Sequence, residues 1–311
     1  MNFLFIVLGL LLLILGGNWL LKAAVGLSLR LKISKIIVGL TVVSFATSAP
    51  EMIVSIQAAL SGFPDIAIGN VVGSNIGNIG LVLGTILLIN AVQVDNSFYA
   101  TDWPVKMFAS TLLFVFLVID GTLSRVEGII FIVVLVSFLI FLIRKNKTTQ
   151  INIEENQEEL MSIVKIGFFL VLGGFALWAG SELLVKGAVN LAENLGVSKR
   201  VIAITVVSIG TSVPELASSI IASIKKENEI SVGNIIGSNI FNILSVLGVT
   251  AIIKPIEHVD VQIIQQDIYW MLGFSFFLLP MVLLPKRGNL SFKEGILLLV
   301  SYSIFLYFTI M

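Results

Sequence analysis

Two glutamates, Glu51 and Glu215, lie inside long apolar runs, each closing the same short polar motif, Thr47-Ser48-Ala49-Pro50-Glu51 and Thr211-Ser212-Val213-Pro214-Glu215. Burying an ionised carboxylate in a bilayer is costly, so such a residue ordinarily faces a cavity or a partner. At helical spacing, Thr47 and Ser48 share a face with Glu51, and Thr211 and Ser212 share one with Glu215. Ser74 and Asn78 are a helical turn apart, as are Ser238 and Asn242. Brought together, these residues offer two carboxylates, two amides and six hydroxyls, an all-oxygen set. Pro50 and Pro214 read as mid-helix prolines that free the carbonyls of Ala46 and Gly210 beside the hydroxyls. Oxygen donors select hard cations, and Ca2+ in particular takes carboxylates, carbonyls and amides in flexible geometry. Two carboxylates neutralise one divalent ion, or monovalent ions or protons in its place, and that competition is the physical basis of antiport.

The chain has no cysteine and one histidine, His258. Thiolate sites, disulfides and paired-histidine chemistry are therefore excluded, and zinc or copper would call for ligands that are missing. No cofactor is expected beyond the ions themselves, Ca2+ with monovalent cations or protons. An enzyme would have only the glutamate pair as acid and base, and symmetric placement denies them the different environments those roles need.

Elements that hold such residues must be membrane helices. Of the 311 residues, 57% are hydrophobic and 12% charged, with a mean hydropathy of +1.05. A soluble domain carries about a quarter charged residues, and a disordered chain lacks the apolar content found here. Balanced charge, 19 basic against 19 acidic residues, implies no nucleic-acid partner. Inorganic cations and the lipid bilayer are the partners implied, and no protein partner is.

Apolar runs recur near residues 3–21, 36–58, 66–90, 105–119, 128–143, 163–185, 200–224, 231–253, 268–284 and 294–310. The polar segment between the fifth and sixth reads as a solvated linker. The first run lacks a preceding basic residue and reads as a retained span rather than a signal peptide. With both termini outside the cell membrane, fourteen of the 19 basic residues fall in cytoplasmic loops, Lys22 and Lys106 among them, and the linker is cytoplasmic. Asp65, Asp95, Asp102 and Asp120 read as solvated loop residues, Glu182 as a helix-end residue, and His258 as a surface group.

The halves align at a constant offset of 164 residues. Thr41–Ser44 matches Thr205–Ser208, and Gly69–Ile76 matches Gly233–Ile240; Asn78 falls on Asn242, and Val82-Leu83-Gly84 on Val246-Leu247-Gly248. About half of positions 41–84 are identical to their partners. Five spans per half turn the second half the other way up, an inverted repeat with its site at the midplane and alternating access built into its symmetry. The expected fold is an all-α polytopic membrane protein of ten transmembrane helices in two inverted five-helix repeats. Residues 1–143 form the first repeat (motif 41–84), 144–162 the linker and 163–311 the second repeat (motif 205–248). Gly69, Gly73, Gly77, Gly233 and Gly237 read as close-packing positions, with Asn70, Asn75, Asn234 and Asn239 bonding helix to helix.

These doubled motifs, followed by Gly-Asn-x-x-Gly-Ser-Asn at 69–75 and 233–239, resemble the paired α-repeats of the calcium:cation antiporter superfamily, in its prokaryotic Na+/Ca2+ exchanger branch. The resemblance covers the whole chain. It implies secondary active exchange of Ca2+ for Na+ by alternating access. It also implies Ca2+ ligation by Glu51, Glu215 and the backbone carbonyls of Thr47 and Thr211. Flanking Na+ sites would use Ser44, Thr47, Ser74 and Glu51 on one side and Ser208, Thr211, Ser238 and Glu215 on the other. The first and sixth spans would slide as a gate. Two positions depart from the pattern: Ala46 stands where the family usually has Gly, and Asn242 where it often has Asp, opposite Asn78. With amides in both places the central site has one fewer carboxylate. Sodium is the first expectation for the counter-ion, since the motif is unlike the plant and fungal H+/Ca2+ pattern. Proton-coupled antiport is the alternative, and a cation channel is disfavoured by the internal inverted pair.

Overall fold

The computed structural model describes residues 2–94, 97–148, 160–194, 210–284 and 288–310. Their helices, in chain order, are α1 (Asn2–Leu31), α2 (Lys35–Thr47), α3 (Ala49–Leu60), α4 (Pro64–Ile89), α5 (Phe98–Asp120), α6 (Arg125–Thr148), α7 (Ile163–Asn194), α8 (Val213–Ile224), α9 (Asn228–Ile253), α10 (Ile263–Leu283) and α11 (Phe292–Ile310). Two short strands, β1 (Val92–Gln93) and β2 (Asn289–Leu290), pair antiparallel. Eight of the described helices are long and apolar enough to cross a membrane, or nine if the broken pair α2 and α3 is one span. The expected seventh span, 200–224, lies partly outside the described residues; its end is α8. Large apolar side chains such as Phe3, Val7, Ile119, Val126, Ile143, Phe168 and Val171 are exposed on these helices, as a lipid-facing surface requires.

The helices pack as two compact units. The first comprises residues 1–47 and 141–235, the second 48–140 and 236–309, so each draws on both halves of the sequence. In the first unit α1 and α7 run antiparallel at backbone distance, because glycines face each other along the seam. A Cβ on Gly9 would lie 2.7 Å from the Leu184 nitrogen, on Gly16 2.8 Å from that of Leu177, and on Gly173 2.8 Å from that of Leu20. Their seven-residue spacing keeps Gly9 and Gly16, and Gly173, Gly180 and Gly187, on one stripe of each helix, the small-residue packing of membrane helices. Gly233 also packs as expected: its Cβ would lie 2.6 Å from the Ile36 carbonyl oxygen. Gly69 and Gly73 do not, since nothing lies within 4 Å of where their Cβ would be.

In the second unit several contacts join the two halves of the sequence in a reciprocal pattern. The α4 residue Gly84 meets the backbone of Gly295 on α11, and the α9 residue Gly248 meets that of Gly128 on α6. Val92 pairs with Leu290, and Ile256 forms a bridge with Leu123. Helix bounds recur at the same offset of 164: Ala49–Leu60 with Val213–Ile224, and Pro64–Ile89 with Asn228–Ile253.

Four charged residues differ from expectation, the first being Glu182, which lies twelve residues before the end of α7 rather than at a helix end. Lys22 lies within α1, because that helix continues nine residues past it. Lys106 lies within α5 and is 1% exposed, because the apolar run resumes before it, at Trp103. Asp102, in the first turn of α5, is 2% exposed rather than solvated.

Candidate cation site

Each conspicuous glutamate stands in the first turn of a helix that begins just after a break. The break before α3 is at Ser48 (φ −85°, ψ 0°), and that before α8 is at Ser212 (φ −86°, ψ 2°). Pro50 and Pro214 therefore start helices instead of kinking them mid-run, because a first-turn nitrogen has no helical acceptor to lose. Of the carbonyls expected to be freed, that of Gly210 accepts a hydrogen bond from the Ser181 hydroxyl at 2.6 Å. Glu51 and Glu215 are both fully buried. The N-terminal end of a helix carries positive partial charge and favours a carboxylate in its first turn. Neither Ser48 nor Ser212 uses its hydroxyl to cap the helix it precedes.

Asparagines tie each glutamate's helix to its neighbour. In the second unit, Asn70 Nδ2 donates to the Glu51 main-chain oxygen at 3.2 Å and to Ser55 Oγ at 3.0 Å. In the first unit, Asn234 Nδ2 donates to Ser218 Oγ and Ser219 Oγ at 3.0 Å, while Ser218 Oγ donates to the Glu215 carbonyl at 3.1 Å. Asn234 also gathers the hydroxyls of α2. Thr47 Oγ1 donates to its Oδ1 at 3.2 Å and Ser44 Oγ to its carbonyl at 3.0 Å.

The central amides form a second reciprocal arrangement, within the second unit. Asn78 and Asn242, both fully buried, each open a π-helical turn, Asn78–Leu83 and Asn242–Leu247. Such wide turns are frequent at functional sites. Asn78 Nδ2 donates to Asn239 Oδ1 at 3.2 Å, and Asn242 Nδ2 donates to Asn75 Oδ1 at 3.3 Å. Asn75 Nδ2 in turn donates to the Asn239 carbonyl at 3.2 Å. With their NH2 groups engaged, Asn78 and Asn242 each keep a buried Oδ1 that accepts no hydrogen bond. A buried carbonyl oxygen without a donor is costly in a dry interior and is a suitable ligand for a hard cation.

Among the expected residues, Ser48, Glu51, Ser74, Asn78, Ser238 and Asn242 belong to the second unit, and Ser44, Thr47, Thr211, Ser212 and Glu215 to the first. All are buried except Thr211, which is half-buried. Ser208 lies outside the described residues. Asn70, Asn75, Asn234 and Asn239 do join helices, as their repeated spacing suggested. Sequence reasoning missed Ser55 and Ser219, whose match at the same offset was available, and Ser218, which has Val54 as its counterpart and left no such signal.

Comparison with known proteins agrees with this chemistry. The chain is 39% identical over 305 residues to the putative antiporter CaxA of Alkalimonas amylolytica, covering 96% of this chain and 95% of that one. It is 29% identical to the sodium/calcium exchanger MaX1 of Methanosarcina acetivorans, over 98% and 97% of the two chains. Its fold superposes on the solved sodium-calcium exchanger NCX_Mj, soaked with 10 mM Na+ and zero Ca2+, with a TM-score of 0.82, 30% identity and coverage of 97% of each chain. Residues 1–144 and 165–311 match the family described as sodium/calcium exchanger protein, and this multi-pass membrane chain belongs to that family of cation antiporters.

Proposed function

We propose that this protein exchanges Ca2+ for Na+ by alternating access, with Glu51 and Glu215 as the shared carboxylate ligands of a midplane, all-oxygen site. The observation that carries this reading is the pair of fully buried glutamates, each in the first turn of a helix behind a matched break. The Oδ1 atoms of Asn78 and Asn242 complete the central donors, and the hydroxyls of Ser44, Thr47, Ser48, Ser74, Thr211, Ser212 and Ser238 supply flanking oxygens, with Ser208 by symmetry. Two carboxylates with amide oxygens balance one Ca2+, and Na+ ions entering the hydroxyl-rich flanks compete for the same negative charge.

Two inverted five-helix repeats, 1–143 and 163–311 around the linker 144–162, give this site its two-sided access. Reciprocal contacts, in which residue i meets j' while i' meets j, are the pattern a two-fold relation generates, and they support that topology. Both termini are then outside and the linker inside, the orientation favoured by the basic residues.

The test is Ca2+ flux in proteoliposomes with Na+ and pH gradients imposed separately. Uptake driven by an opposing Na+ gradient is expected. Uptake driven by the pH gradient alone would replace Na+ with H+ as the counter-ion.

A further inference from the structure

The second unit carries a groove between α10 and α11 that the exchange chemistry above does not use. Its volume is about 570 Å3, and Trp270, Phe274 and Phe277 of α10 and Leu297 and Leu298 of α11 form its walls. Phe277 and Leu297 are exposed, so the groove opens onto the surface of the unit. Gly273 keeps it open, since nothing lies within 4 Å of where its Cβ would be. Aromatic rings close one end, with Trp270 5.8 Å from Phe305 and 6.5 Å from Phe308 between ring centroids. At the other end, where α10 stops and α11 starts, stand Lys293 and Glu294. From there to Trp270 the lining is apolar apart from Ser301. That stretch of α10 is about 20 Å long at ~1.5 Å per residue. Both charges at the mouth can meet a ligand. Lys293 makes no ion pair among the described residues. Glu294 accepts from Ser291 N at 2.8 Å and from Ser291 Oγ at 2.6 Å, both on Oε2, which leaves Oε1 to accept from elsewhere.

A membrane-embedded groove meets acyl chains, and about 20 Å is enough to cover one leaflet of a core ~30 Å thick. Apolar walls with charge only at the mouth suit an amphiphile lying along them, its headgroup at the charged end. The mouth holds one cation and one anion, so the complementary headgroup carries both signs. We propose that the α10–α11 groove binds a zwitterionic phospholipid with a primary ammonium, of the phosphatidylethanolamine type. Lys293 pairs with its phosphate, and Glu294 Oε1 accepts a charge-assisted hydrogen bond from its ammonium. An anionic headgroup would satisfy Lys293 but set a like charge against Glu294. A quaternary ammonium has no N–H to offer Glu294. The groove shares no residue with the exchange site, so the two readings stand or fall separately.

The experiment is native mass spectrometry of the purified full-length chain in micelles holding equal amounts of dioleoyl phosphatidylethanolamine, phosphatidylcholine and phosphatidylglycerol. Wild type is expected to retain the ethanolamine lipid about tenfold over each of the others, the worth of one charge-assisted hydrogen bond. E294Q keeps an acceptor for Ser291 and removes the charge, and its preference over phosphatidylglycerol is expected to fall to within about twofold. K293Q is expected to retain all three lipids about fivefold less, through loss of the phosphate partner. G273L puts a side chain into the groove and is expected to lose most of the bound lipid of every kind. L297W fills the groove from α11 and serves the same comparison should G273L not yield monodisperse protein. Equal retention of the three lipids by wild type overturns the proposal, as does undiminished ethanolamine-lipid binding in the variant that fills the groove.

Discussion

A fully buried carboxylate in the first turn of a helix is favoured by the positive partial charge of the helix end and by a bound cation, and Glu51 and Glu215 both occupy that position. Replacing either with glutamine keeps size and removes charge. E51Q and E215Q are expected to lower Ca2+ exchange at least about 100-fold, on the scale of losing a charged ligand, while thermal unfolding in detergent stays within a few degrees of wild type. Retained flux in either variant would contradict the ligand assignment. Asn75 and Asn239 act one step further out, by engaging the NH2 groups of Asn242 and Asn78. N75A or N239A is expected to weaken Ca2+ binding about fivefold, one neutral hydrogen bond's worth, as measured by calorimetry. The glutamates, hydroxyls and amides were legible in the sequence because a polar residue in an apolar run is rare and these occur twice. Which amide faces which was not legible, since spacing along one helix says nothing of the neighbour it meets. Lys106 escaped for a different reason: it stands three residues into its apolar run, where a loop lysine and a buried one look alike.

At the scale of elements, the repeat offset and most span positions were legible in the residue pattern, and the bounds of α3 and α8, and of α4 and α9, keep that offset. What spacing could not reveal is how a helix begins. Thr-Ser-x-Pro-Glu reads equally as a kinked helix or as the start of a new one, and the backbone at Ser48 and Ser212 decides for the second. Glycine roles divide in the same way. Gly16 sits at backbone contact with α7, whereas Gly73 has open space where a side chain would go. G16L is expected to destabilise the protein by ~1–3 kcal/mol or more through overpacking, seen as a lowered unfolding temperature or lost monodispersity. G73A is expected to be neutral or to stabilise by up to ~1 kcal/mol, as alanine restricts the unfolded chain and meets nothing in the fold. Equal penalties for the two would contradict the distinction.

Across the whole molecule, apolar content and scarce charge identified a membrane protein before any helix was placed, and the doubled motif identified a transporter. Contacts at Gly84–Gly295 and Gly248–Gly128, and at Val92–Leu290 and Ile256–Leu123, join the two halves of the sequence reciprocally. The absence of native cysteine makes orientation directly measurable. A cysteine at exposed Asp120 is expected to react with a membrane-impermeant maleimide on intact cells, and one at exposed Leu160 only after permeabilisation. The reverse pattern would invert the topology. The central claim, Na+-coupled Ca2+ exchange through Glu51 and Glu215, is tested most directly by radiolabelled Ca2+ uptake into proteoliposomes under an opposing Na+ gradient at uniform pH. The expected result is uptake that requires the gradient and vanishes in E51Q and E215Q; uptake indifferent to Na+, or undiminished in those variants, would contradict it.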